Sequence, residues 1–243
     1  MKHFRPRLSR RAFWVLCALL VCLRLALTGF QQAYIWVGGA PLDDELMFRA
    51  ANHITAGQWL GAYDYLTLSK AMFFPVWLAL LHALHLPYLI SGAALWCGAA
   101  LLAAFAFSTL WRKKDPAQGR VLTLGLFAAL AFLPSSWAAY TLRVYRDNIF
   151  PALCLYFFAG MAGMALRAVL TPEKPLWPWR AAAGAGLACG YLDREDAGLF
   201  LLPFAAAATV IVAVALAGKR RWKALAAQVI PYVMLGVGVL TFC

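Results

Sequence analysis

AGLFLLPFAAAATVIVAVALAG, residues 197–218, carries no charged side chain over its 22 positions. Wound as a helix it reaches about 33 Å at 1.5 Å per residue, enough for a hydrocarbon core of roughly 30 Å. No period-two alternation runs along it, so it does not read as a barrel strand. Backbone polar groups in lipid must be satisfied inside the segment, and a helix does that.

The same pattern recurs outward from this stretch. Apolar runs cover Ala12–Phe30, Ala71–Leu89, Gly92–Trp111, Val121–Leu133, Ile149–Leu170, Ala181–Leu192 and Ala224–Cys243. The connectors hold the charge. Trp111, Trp137, Trp177, Trp179 and Trp222 lie at or near run ends, as interfacial aromatics do. Over 243 residues, 64% are apolar and 13% charged, too little polar surface for a soluble domain of this size. The fold class is therefore all-α and polytopic. The expectation is a single transmembrane domain over 1–243, and the last run ends without a polar tail, which reads as a chain cut short.

The net charge of +12 does not point to nucleic acid. The basic residues sit in short clusters between apolar runs, as in cytoplasmic loops, and no stacking platform accompanies them. Lys2, Arg5, Arg7, Arg10 and Arg11 precede the first run. That run is long, contains Arg24 and lacks a small-residue cleavage site, so it reads as a retained first span and not a signal peptide. The six cysteines lie in apolar runs without metal-ligand spacing and read as free thiols.

Charge also decides the ambiguous run Ala71–Leu89. If it crosses, Arg112, Lys113, Lys114 and Arg120 fall outside, with Lys219, Arg220, Arg221 and Lys223. If it lies along the outer surface or dips in and returns, every basic cluster falls inside. Eight of the ten acids then fall outside: Asp43, Asp44, Glu45, Asp64, Asp147, Asp193, Glu195 and Asp196. The topology expected is seven spans in an inner membrane, with the N-terminus in the cytoplasm. Residues 31–91 form a first periplasmic loop with interfacial helices. Val121–Leu133 and Ala181–Leu192 are short for full spans. Their outer ends should sit below the surface, placing Arg143, Arg146, Asp147 and the Asp193–Asp196 cluster beside a wet cavity. Ionisable groups at that depth suggest function. Gly186 and Gly190 suit close helix packing.

The first outer loop holds the densest chemistry. Pro41 and Asp43, Asp44 and Glu45 open a helical pattern, with Leu42, Leu46, Ala50 and Ile54 along one face and Gly57 at its end. Acids at a helix start are explained by capping and the dipole alone. The rest of the loop adds more: Trp59, Tyr63 and Tyr65 offer surfaces for a sugar ring, and Lys70 stands where it could meet a lipid phosphate. Lys70 also suits simple snorkelling.

This run resembles the first periplasmic loop of polyprenyl-phosphate-dependent glycosyltransferases of the GT-C superfamily, nearest to the protein O-mannosyltransferase and aminoarabinose transferase group (family 39). The matching residues are Asp43-Asp44-Glu45, Gly57-Gln58-Trp59, Tyr63, Leu68-Ser69-Lys70 and Phe74-Pro75-Val76. Ala71-Met72 stands where the family usually has Gly-Pro. The likeness continues more weakly at Tyr145-Arg146-Asp147 and Arg194-Glu195-Asp196. It spans roughly 42–200, the N-terminal half of a typical member.

The resemblance implies transfer of a sugar from a polyprenyl-phosphate donor, in a membrane lipid setting, to an acceptor hydroxyl of unknown identity. A carboxylate takes the acceptor proton. Asp44 or Asp43 would be that base, with Asp44 preferred. Glu45, Trp59, Tyr63, Lys70, Arg143, Arg146, Arg194 and Glu195 would bind substrate, the cations holding the phosphate charge. Arg146–Asp147 and Arg194 with its neighbouring acids also read as plain structural pairs. No cofactor is implied by the residues. Some relatives use a divalent cation and others do not, so Asp43 and Asp44 stand as candidate ligands for one. His53, His82 and His85 do not form a metal set. Two rival readings stay open: a transporter or lipid flippase, and a truncated non-catalytic membrane protein.

Overall fold

The computed structural model describes residues 7–35, 41–59, 61–62, 69–111, 115–171 and 173–242. The helices in chain order are α1 (Arg10–Thr28), α2 (Pro41–Thr55), α3 (Phe73–Ala83), α4 (Tyr88–Phe107), α5 (Pro116–Ala131), α6 (Phe150–Leu170), α7 (Trp177–Asp193), α8 (Gly198–Ala217), α9 (Trp222–Ala226) and α10 (Ile230–Phe242). Short 3-10 turns join several of them. No strand occurs among the described residues; Tyr34 and Arg143 form an isolated parallel bridge. The all-α expectation holds.

Five segments are long and apolar enough to cross a membrane: Arg10–Thr28, Tyr88–Leu110, Phe150–Leu170, Glu195–Ala217 and Trp222–Thr241. Large apolar side chains along them stand exposed, among them Leu199 at 82% and Leu240 at 87%. A helical bundle with such a girdle is a membrane protein. By length and hydropathy five segments, not the expected seven, qualify as full spans. α5 has 16 residues and α7 has 17, about 24 and 26 Å, short of a roughly 30 Å core. Polar punctuation sets their ends. Asp115 caps α5 by accepting from the N–H groups of Ala117 and Gln118, and α7 stops where its chain turns extended at Arg194. The run Ala71–Leu89 contains α3, only 11 residues long, which packs on α2. A reversal with His85 at positive φ then leads into α4.

Two buried clusters organise the bundle. Phe13, Cys17, Cys97, Ala100, Ala104, Phe127 and Ala131 join α1, α4 and α5. Phe157, Met161, Met164, Leu187, Leu201, Val212 and Leu216 join α6, α7 and α8. Between α6 and α7 the backbones touch. A Cβ on Gly160 would lie 2.5 Å from the Ala183 nitrogen, and one on Gly186 would lie 2.4 Å from the Phe157 nitrogen. Gly190 is different, since its Cβ would meet only Leu201 Cδ1 at 3.3 Å and Leu153 Cβ at 3.9 Å. The closest approaches are thus at Gly160 against Ala183 and at Gly186 against Phe157, while Gly190 packs less tightly.

Charge is sorted between the two ends of the bundle. One end is basic. There Arg120 donates to the Leu8 carbonyl, Arg167 stacks on Trp179, Arg180 donates to the Ala224 carbonyl, and Lys219 to the carbonyls of Ala168 and Val169. The other end carries the α2 acids and the Asp147 and Asp193–Asp196 groups. Among the described residues, Cys17, Cys22, Cys97, Cys154 and Cys189 are free thiols.

Candidate functional site

At the acidic end, α2 starts with its acids in the first turn, where the free N–H groups and the dipole favour them. The helix packs Met47 into a small core with Phe74, Tyr145, Ile149 and Leu153. That seat turns Asp44 inward. Its side chain is 1% exposed, and the Arg143 guanidinium grips both carboxylate oxygens, Nε to Oδ2 at 3.0 Å and Nη2 to Oδ1. Asp43, at 36%, faces outward. Its Oδ2 lies 3.3 Å from Lys70 Nζ and accepts from the Tyr145 hydroxyl at 3.3 Å.

The segment carrying Arg143 and Tyr145 is fixed from two sides. Tyr34 holds it by backbone pairing, its N–H donating to the Leu142 carbonyl and its own carbonyl accepting from Val144. The Tyr88 hydroxyl donates to the carbonyls of Arg143 and Tyr145. Arg143 and Arg146 both lie over the Tyr145 ring, at 4.5 and 5.2 Å from its centroid. Burial raises the Tyr145 phenol above its usual range, against the pull of Arg146.

A second group adjoins the first. Glu195 accepts from the Ala71 N–H at 2.8 Å through Oε1 and from Arg146 Nη1 at 2.7 Å through Oε2. One carboxylate therefore ties the Lys70–Ala71 segment to the 3-10 turn Arg146–Asn148. Arg194 bridges Asp147 at 3.2 Å and grips Asp196 with two bonds of 3.0 Å. Behind them Asp193 is fully buried, and neither carboxylate oxygen has a hydrogen-bond partner among the described residues. Burial pushes its carboxyl well above the usual range, with Arg146 opposing and Asp147 adding to the shift.

The structure thus brings together Asp43, Asp44, Lys70, Arg143, Arg146, Arg194 and Glu195. Glu45 is exposed and takes no part in the described pairs. Trp59 is 43% exposed beyond the turn at Gly57. Tyr63, Tyr65 and Asp64 lie outside the described residues. Sequence reasoning did not place Tyr88 in the site, and it gave no role to Tyr145, quoted only in the weaker likeness, or to Asp193, named only within the cluster beside the expected cavity. Tyr145 had a signal: it stands between two arginines in Arg143-Val144-Tyr145-Arg146-Asp147.

Each cation in the cluster already holds a carboxylate. An incoming anion must therefore exchange with one. The Lys70–Asp43 pair is the most exposed to such exchange, being single, longer than the others and partly open to solvent. Among the described residues no group of three His, Cys, Asp or Glu is placed to hold a metal ion, and Asp43 and Asp44 face Lys70 and Arg143 instead. Compared with known proteins, the chain matches no family model, no curated protein and no solved structure.

Proposed function

We propose that the chain is a membrane glycosyltransferase that moves a sugar from a polyprenyl-phosphate donor to an acceptor hydroxyl. In this reading the acidic end faces the periplasm and the N-terminus lies in the cytoplasm of an inner-membrane protein. The observation that carries it is the meeting of Asp43, Lys70 and Tyr145 within 3.3 Å contacts, with Asp43 and Lys70 partly open to solvent and the paired arginines behind them. The charge placement along the chain and the loop's likeness to family 39 enzymes support it as well.

The reaction needs a base and a phosphate clamp. The donor phosphate draws Lys70 away from Asp43 and leaves that carboxylate free. Asp43 then takes the acceptor's proton as the acceptor oxygen bonds to the anomeric carbon. The bond from that carbon to the phosphate oxygen breaks, and the phosphate leaves with the electron pair, held by Lys70. The sugar inverts in one displacement. Asp43 is the better base than Asp44, because Asp44 is buried and clamped at both oxygens. Asp44 instead positions Arg143, and through it the Tyr145 face.

Membrane vesicles containing the full chain, supplied with a labelled pool of polyprenyl-phosphate sugars, test this. Loss of transfer in Asp43→Asn, with a folded protein, and reduced donor affinity in Lys70→Ala are expected. Full activity in Asp43→Asn sinks the assignment of the base. No label released by the native chain from any donor sinks the transferase reading itself.

A further inference from the structure

Past its first turn α1 carries one charge, Arg24. It is 3% exposed and lies one turn from the helix end, toward the acidic end of the bundle. Its Nη1 donates to Thr28 Oγ1, and its Nη2 to the Ser136 carbonyl at 2.9 Å. The guanidinium plane lies over the Trp137 indole, 3.5 Å from the ring centroid. These contacts fasten the 3-10 turn Pro134–Trp137 onto α1. They use two of five N–H groups, and the Nε–H has no partner.

What the clamp leaves unexplained is the charge. Among the described residues no carboxylate pairs with Arg24; its partners are a hydroxyl, a carbonyl and a ring. A cation taken out of water without a counter-anion is strongly unfavourable, and in a membrane protein such a group marks a partner to be found. Beside it a small cleft of about 50 Å³ opens to the surface. Gln31, Trp96, Ser135, Tyr140 and Asn148 line it together with Arg24. Asn148 donates from Nδ2 to the Thr141 carbonyl, while its Oδ1 is buried and accepts nothing. The cleft therefore offers one uncompensated cation and several hydroxyls, with the unused Asn148 Oδ1 buried against Gly92 behind its lining.

We infer that this cleft binds a phosphate carrying a hydroxylated headgroup, with the phosphate charge on Arg24 and the headgroup hydroxyls among the polar side chains of the lining. The site is separate from the carboxylate network, since none of its lining residues belongs to that cluster's charged pairs. An anionic phospholipid such as a phosphatidylglycerol has this chemistry, and free phosphate shares its charged part. Arg24 supplies a charge-assisted donor that a neutral lipid cannot repay.

The full chain, purified in neutral detergent, is titrated with dioleoyl phosphatidylglycerol, dioleoylglycerol or inorganic phosphate, and bound ligand is counted by native mass spectrometry. Arg24→Gln should weaken phosphatidylglycerol binding by about tenfold or more. Gln31→Glu places a competing carboxylate in the half-buried rim of the cleft and should weaken it similarly. Arg10→Gln, at the opposite end, should leave it unchanged. Lipid that excess inorganic phosphate does not displace supports the site and assigns its ligand to the membrane. Phosphate binding with the same Arg24 dependence supports the site with a free anion as ligand. Equal retention of dioleoylglycerol overturns the proposal. So does unchanged binding in folded Gln31→Glu, which decides the matter even if Arg24→Gln fails to fold.

Discussion

Removing Arg143 should damage this protein more than removing its partner. The Asp44 side chain is 1% exposed and that of Arg143 20%, so the two ends of the pair are desolvated unequally. Arg143→Met takes the bidentate cation from a buried carboxylate, and breaking a buried pair in this way costs about 3–5 kcal/mol. Asp44→Asn strands a guanidinium that still lies on the Tyr145 ring and can reach water. Its cost should be about 1–3 kcal/mol, that of lost charge-assisted hydrogen bonds. The double variant removes both charges, so its cost should fall short of the sum by about 2 kcal/mol. The assay is reversible unfolding in mixed micelles at neutral pH, followed by tryptophan fluorescence. A cost for Arg143→Met below about 1 kcal/mol, or coupling near zero in the cycle, would refute the view that this pair is a buried strut.

Three further predictions follow from the geometry. Gly160→Ala and Gly186→Ala should each destabilise by about 1–3 kcal/mol, because backbone atoms stand where the new Cβ goes, while Gly190→Ala should be nearly silent in the same unfolding assay. Asp193 has a raised folded pKa, so its contribution to stability is present below the ordinary carboxylate value of 3.8 and is lost as pH rises through the folded value. Asp193→Asn should therefore flatten the fall of melting temperature with rising pH; an unchanged slope would show that Asp193 does not titrate in this way. A reporter fused after Arg120 should mark the cytoplasmic side, and an outer-side signal would reverse the proposed orientation.

The helical class was legible because lipid leaves so few options for the backbone. Long uncharged runs such as Ala197–Gly218 announce their state without any help from neighbours. Span number was less legible. Val121–Leu133 and Ala181–Leu192 read as short spans, and their helices are 16 and 17 residues long, short of the roughly 20 that a full crossing takes. Composition locates such helices, but their ends are set by the Asp115 cap and the turn at Arg194. The glycine contact was half legible. Small residues on α7 signalled close packing, yet which helix approached, and at which glycine, depended on how α6 lay against it.

For the candidate site, the sequence by itself determined the residue types: acids opening α2, a lysine before α3, and arginines in two later connectors. Hydropathy puts these at element ends, because charge is costly inside an apolar run. Only the tertiary structure decided their partners. It turned Asp44 inward and Asp43 outward, a choice that neighbours in sequence share equally until Met47 finds its seat beside Phe74 and Tyr145. It also gave Glu195 its place on Ala71, 124 residues away, and left the Asp193 carboxyl without a hydrogen-bond partner and Arg24 without a carboxylate among the described residues. Pairing and burial are properties of contacts between distant segments, and no local pattern encodes them.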